Sequence, residues 1–220
     1  MKKQIIFLLL IISSLNVFSQ SNYALNFDGS NDYIDIADND LLDFGSGHPI
    51  TVEFWVIRTS NIGGHIFGKR PGCNPTINYQ SYSDETGCGF GGTEGIGAGG
   101  NPLPLNEWVF FTGSWDGYDT VKYYLNGELL AATGSVTTLG IVNTASLRIG
   151  ISGDCTAFQG SIDEFRIWDA ERTQEEVKKD MCLSPNPAAE PNLIAYYNFN
   201  EGSGVILHDQ TSNHLDGTLN

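Results

Sequence analysis

The sequence predicts an all-β protein, two antiparallel sheets packed face to face, with one short helix near residues 173–180. Three observations predict it. Apolar and polar residues alternate over short runs such as "YALNF" and "DYIDI", the period of strands with one buried face. Turn signals ("WDGYD", "NGE", "SGDC") recur at the roughly 8–12-residue rhythm of sandwiches and barrels. Finally, "Leu125-Asn126-Gly127-Glu128" places Asn-Gly between two strand-like runs, the strongest short-range hairpin signal, because both residues tolerate positive φ.

The first residues stand apart. "MKKQIIFLLLIISSLNVFSQ" has two lysines, an apolar run and then small residues, the layout of a secretory signal peptide. Val17 and Ser19 suit a cut after Ser19, giving a leader of 1–19 and one domain over 20–220. The apolar run is short for a bilayer span. Secretion to the extracellular space, the cell surface or the periplasm is the expectation.

Within the domain, "ITVEFWVIRTS" is rich in β-branched and aromatic residues. Val52, Phe54 and Val56 share one face, Glu53 and Trp55 the other. "HIFGK" follows a Gly-Gly turn. After the glycine-rich segment 87–100 come "WVFFTGSW", "VKYYLNG", "ELLAAT", "ASLRIG" and "GSIDEFRIW", each of strand type. "TQEEVKKD" reads as a helix with Thr173 as cap and Glu176 three residues on, a capping box. "LSPNPAAEPN" is a proline-rich link, and "LIAYYNF" is the last strong strand.

The formal charge is −15, and more negative once Lys2 and Lys3 leave with the signal peptide. Such a chain repels phosphate backbones and anionic lipid, which argues against nucleic acid as a partner. Four cysteines in an oxidising compartment allow three pairings. Cys73–Cys88 and Cys155–Cys182 are favoured here, because the first would close a loop with little core of its own, worth about 3 kcal/mol. Their spacing suits neither zinc nor thioredoxin chemistry.

Six blocks in order, "ALNFDGSNDYIDI", "ITVEFWV", "NEWVFFTGSWDG…VKYYLNGELL", "LRIG", "FQGSIDEFRIWDAERTQEEV" and "LIAYYNFNEGSG…DQTSNHLDGTL", resemble the laminin-G-like, concanavalin A-like jelly-roll family. The resemblance implies two curved antiparallel sheets, ligand binding that is often of carbohydrate, and frequently a structural calcium ion. In many members a segment like "YYNFNEGSG…DGTL" opens the domain, whereas here it closes the chain. Either the strand order is rotated, with the tail supplying a sheet strand, or the chain belongs to a longer protein.

Strand alternation puts Asp163 on the side of Phe165 and Ile167, and Asp32 on the side of Ile34 and Ile36. A carboxylate facing a core is costly unless paired or metal-bound, and a hard cation with oxygen ligands is a natural partner. Asp28 and Asn31 add oxygens from the intervening turn. One reading is a calcium cage of Asp28, Asn31, Asp32 and Asp163; the other is that Asp28 and Asn31 only form Asx-turns. The family resemblance favours calcium. An EF-hand is excluded, since its sixth and twelfth positions would fall on Tyr33 and Asn39.

Catalysis finds little support. A retaining glycosidase needs two carboxyl groups about 5 Å apart across a groove. Adjacent Asp163 and Glu164 should point to opposite faces, Asp38 and Asp40 lie in a turn, and Glu53 is alone on its strand. His48, His65, His208 and His214 show no paired metal spacing, and "GFGGTEGIGAGG" lacks the lysine and helix of a phosphate loop. Of the aromatics, Trp55, Trp108, Trp115 and Trp168 read mostly as core. A sugar would stack on Tyr79 and Tyr82, beside Asn78, Gln80 and Asp84. The expectation is thus a secreted, non-catalytic binding module, calcium-stabilised, for a glycan or glycosylated surface. A protein-interaction or adhesion module is the alternative, and a polysaccharide hydrolase or lyase a distant one.

Overall fold

The structure is a computed structural model that describes residues 23–73, 77–92, 98–99, 101–133 and 142–220. The expected leader 1–19, and residues 93–97 and 100 of the glycine-rich segment, lie outside them.

The described strands are β1 (Leu25–Asp28), β2 (Ile34–Ile36), β3 (Ile50–Arg58), β4 (Gly64–Lys69), β5 (Tyr79–Ser83), β6 (Cys88–Gly91), β7 (Ala98–Gly99), β8 (Trp108–Trp115), β9 (Val121–Leu125), β10 (Glu128–Thr133), β11 (Leu147–Ile149), β12 (Gln159–Trp168), β13 (Leu193–Tyr197), β14 (Ile206–Leu207) and β15 (Gly217–Leu219). They form two antiparallel sheets. The seven-stranded sheet runs β1-β12-β3-β8-β9-β10, with β13 beside β12. The eight-stranded sheet runs β14-β15-β2-β11-β4-β5-β6-β7. Successive strands such as β1 and β2, or β11 and β12, fall in opposite sheets, so the chain wraps the core as a jelly roll.

That core follows from alternation. Val52, Phe54 and Val56 of β3 point inward as expected and are fully buried. Phe54 stacks on Phe111 and Phe165 at centroid distances of 4.7 and 5.2 Å and meets Phe67 of the other sheet edge-on. Each such ring contributes about 1.5–3 kcal/mol by leaving water. The Asn-Gly hairpin forms between β9 and β10. Asn126 and Gly127 take φ of 50° and 74°, the left-handed pair of a type I′ turn. Helix α1 (Gln174–Asp180) carries the expected capping box between Thr173 and Glu176 and buries Val177.

The tail supplies sheet strands. β13 joins the seven-stranded sheet, and β15 pairs with β2 through Gly217 opposite Ile36. Asp209 organises the turn between them, accepting hydrogen bonds from the backbone of Tyr196, Thr211 and Leu215. No helix among the described residues is long and apolar enough to cross a membrane.

Two expectations are corrected. The disulfide joins Cys73 to Cys155, with Cα atoms 5.0 Å apart. Cys88 is buried in β6 and Cys182 is exposed, both as free thiols. The preference for Cys73–Cys88 weighed the loop closed along the chain. Instead the segment 150–155 that follows β11 folds back over β4, with Ser152 against Gly68 and Gly153 against Gly72, which brings Cys155 to Cys73. The crosslink spans 82 residues, worth about 4 kcal/mol in the chain-entropy account.

The second correction concerns Asp163. β12 carries a bulge: Asp163 opposes Trp55 and Arg166 opposes Glu53, so three steps on β12 match two on β3. Glu164 takes a left-handed φ of 54° within it. The extra residue reverses the alternation, so Asp163 shares the outer face with Ser161 and Trp55, while Phe165 and Ile167 stay in the core.

Candidate functional site

The four residues expected to hold calcium do not assemble. Asp28 and Asp32 share one loop: the Asp32 carboxylate accepts the Asp28 amide at 3.0 Å, and Asp28 Oδ1 accepts the Ser30 amide at 2.7 Å. Those are the bonds of a polar turn. Asn31 is exposed beside them. Asp28 opposes Gln159 of β12, and Asp163 lies four residues further along that strand, about 13 Å away. Among the described residues no three His, Cys, Asp or Glu side chains form a group able to hold a metal. The residues present do not fit the ion.

The expected sugar platform divides in two. Tyr79, Gln80, Ser81 and Tyr82 belong to β5, so their side chains alternate. Tyr79 is 0% exposed, packs edge-on against Phe44 at 5.6 Å, and burial pushes its hydroxyl far up. Asn78 is buried and brackets Phe44, accepting from its amide and donating to its carbonyl. Gln80 is buried, its carbonyl accepting from Arg70 and Ser152. Tyr82 remains at the surface, 36% exposed, its ring 4.9 Å from His65. Asp84 accepts from the Thr86 hydroxyl and from the Thr86 and Gly87 amides, which hold its carboxyl below the usual range.

The outer face of the seven-stranded sheet carries polar residues that α1 and residues 181–184 cover. Buried Glu53 accepts from Trp168 Nε1 and Arg172 Nη1, both at 2.9 Å, and burial raises its carboxyl pKa. Glu164 accepts from Tyr196, Ser184 and Arg166. Arg166 also donates to the carbonyls of Asp180 and Leu183, and Trp55 Nε1 to that of Met181. These bonds fasten the helix and the following segment onto the sheet, so neither carboxylate lines an open groove.

One row of that face lies outside the part that α1 and residues 181–184 cover. Asn26, Ser161, Ile57 and Trp108 stand opposite one another across β1, β12, β3 and β8. Trp108 is 41% exposed and Ile57 is half-buried. The Asn26 side-chain amide donates to Ser161 Oγ at 3.1 Å and to the Gly160 carbonyl at 3.3 Å. Reading the tryptophans as core holds for Trp115 and Trp168 and fails for Trp108. The signal was in "WVFFTGSW": Val109 and Phe111 take the inward positions, which leaves Trp108 facing out. A separate cleft of about 260 Å³ lies between Tyr23, Leu25, Phe199, Glu201 and Ile206 near the chain ends.

Sandwich and strand order define an antiparallel jelly-roll β module. Residues 28–178 match the Laminin_G_3 family, described as the concanavalin A-like lectin/glucanases superfamily, and the chain belongs to that family. Among solved structures it is similar to a protein of Bacteroides ovatus described as a putative carbohydrate binding protein. That likeness has a TM-score of 0.68 and 22% identity, over 90% of this chain and 57% of that one. It is also similar to the heptameric SAP-like pentraxin of Limulus polyphemus (TM-score 0.55, 15% identity, 70% of this chain and 78% of that one). Domain 4 of AbnA, an extracellular arabinanase of Geobacillus stearothermophilus solved with arabinotriose, gives a TM-score of 0.51 at 22% identity, over 71% and 75% of the two chains. At these identities the likeness is one of fold. Human pappalysin-1 is 30% identical over 98 residues, 42% of this chain and 6% of that protein. The chain therefore spans little of pappalysin-1 and just over half of the Bacteroides protein.

Proposed function

We propose that the chain is a secreted, non-catalytic module that binds carbohydrate on a glycan or glycosylated surface. The observation that carries this reading is a lectin-type sandwich whose outer faces present aromatic rings, Tyr82 and Trp108, at the surface. Sugar rings stack their apolar faces on such rings, and hydroxyls reach neighbouring polar groups. The fold shared with a protein described as a putative carbohydrate binding protein and with an arabinotriose-bound domain supports the same reading. The buried carboxylates Glu53 and Glu164, bonded to arginine and sealed by α1 and residues 181–184, support a non-catalytic role. The disulfide and the leader-like first residues support secretion.

A glycan array probed with the mature chain tests this. Binding to a defined set of glycans is expected, with no release of reducing ends. Failure on every glycan would overturn it, and hydrolysis would make the protein an enzyme. One observation favours the rival protein-interaction module. Strand β10 is a sheet edge carrying exposed Leu129 and Leu130, a feature that pairs readily with another chain. Capture of a protein ligand together with a blank array would establish that rival.

A further inference from the structure

Resting on the carbohydrate reading, we infer that the glycan lies across the strands of the seven-stranded sheet, along the row Trp108, Ile57, Ser161 and Asn26, and is neutral and longer than one sugar. The row crosses four strands, and three inter-strand steps span about 14 Å, more than a single ring covers. Trp108 at one end offers an exposed indole face, and Ile57 beside it continues the apolar strip. The other end is polar: Asn26 uses its amide nitrogen on Ser161 and Gly160, which leaves its carbonyl oxygen directed to solvent-borne hydroxyl donors. An apolar stretch followed by fixed amide and hydroxyl groups matches a chain whose rings alternate apolar faces and hydroxyl edges.

Charge decides the class. The chain carries −15, so a uronate or sialate polymer meets general repulsion. The arginines of β3 and β12, the two middle strands of the row, are already engaged. Arg58 gives Nε and Nη2 to the Leu103 carbonyl, and Arg166 is bonded to Glu164, Asp180 and Leu183. Neither is placed to pair with a ligand carboxylate.

The test uses the mature chain and neutral gluco-, manno-, galacto-, xylo- and arabino-oligosaccharides of one to six units, with oligogalacturonate as the charged probe, read by calorimetry. The expected result is binding of at least one neutral series, at least tenfold tighter for the trisaccharide than for the monosaccharide, and weak or no binding of oligogalacturonate. Trp108→Ala should lower affinity tenfold or more, Trp108→Phe should keep part of it, and Tyr118→Ala, at an exposed ring in the turn between β8 and β9, should bind as wild type. Trp108 is exposed, so an unchanged melting temperature in Trp108→Ala will show that the fold is intact. Wild-type binding by Trp108→Ala, loss in Tyr82→Ala alone, equal affinity for mono- and trisaccharide, or preference for oligogalacturonate overturns the inference while leaving the carbohydrate reading standing. No binding by the wild type to any probe or to a glycan array overturns both.

Discussion

Lys69 Nζ lies 2.6 Å from Asp38 Oδ1 with its side chain wholly out of solvent, and its ammonium is enclosed by oxygens. Asp43 Oδ1 stands at 2.9 Å, and the carbonyls of Asn143 and Ala145 accept at 2.7 and 2.9 Å. Two carboxylates and two carbonyls converging on a cation is the ligand set of a hard metal ion. Here the cation is covalently part of β4. It ties that strand to the segments around residues 38–43 and 143–145. Lys69→Met should lower stability by about 3 kcal/mol or more, because the acids and carbonyls lose their partner in a buried site. Urea unfolding of the variant checks this, and a loss under about 1 kcal/mol would mean that water replaces the ammonium at little cost.

Calcium is the matching experiment. Asp28, Asn31 and Asp32 are apart from Asp163, and Lys69 supplies its own cation, so EDTA is expected to leave the melting temperature unchanged. Asp28→Asn should cost about 1 kcal/mol at most, the worth of the hydrogen bond its carboxylate accepts from Ser30. A fall in melting temperature with EDTA that calcium chloride reverses, and that Asp28→Asn abolishes, would return a metal to the Asp28 loop.

The capping box makes a pH prediction. Hydrogen bonds from the Thr173 amide and hydroxyl hold the Glu176 carboxyl below its ordinary 4.5. A carboxyl depressed on folding adds stability above its unfolded pKa and loses it as pH falls through the folded value. Between pH 7 and pH 3, wild type should therefore lose more stability than Glu176→Gln. Thr173→Ala should cost about 1 kcal/mol at pH 7. Parallel melting curves for wild type and Glu176→Gln across that range would show that the bond contributes nothing in solution.

What could be read in advance divides along physical lines. Sandwich, hairpin and helix were legible because each depends on local chemistry: alternation in "ITVEFWV", positive φ at Asn126 and Gly127, the Thr173–Glu176 pair. The face of Asp163 was not, because the bulge at Glu164 is set by how β12 pairs at once with β3 and β13. Tyr79 and Asn78 misled for a related reason. They lie near a glycine- and serine-rich stretch that looks like a loop, yet pairing with β4 makes it a strand with an inner face. Trp108 was within reach of the same alternation that assigned Val52 and Phe54, had it been applied to β8.

Thiol chemistry separates the observed disulfide from the pairing expected along the chain. With Cys73 bonded to Cys155, the native protein should hold two free thiols of unequal behaviour. Cys182 is exposed and should react with a thiol reagent at once. Cys88 is buried, and burial pushes its thiol up to about 11, so it should react only on unfolding. Cys73→Ser and Cys155→Ser should each lower stability by about 4 kcal/mol, and the double variant no further, because both remove one crosslink. Cys182→Ser should cost nothing measurable. A native protein with no reactive thiol, or a large loss in Cys182→Ser, would show that Cys182 is crosslinked after all; non-reducing peptide mapping would then identify its partner.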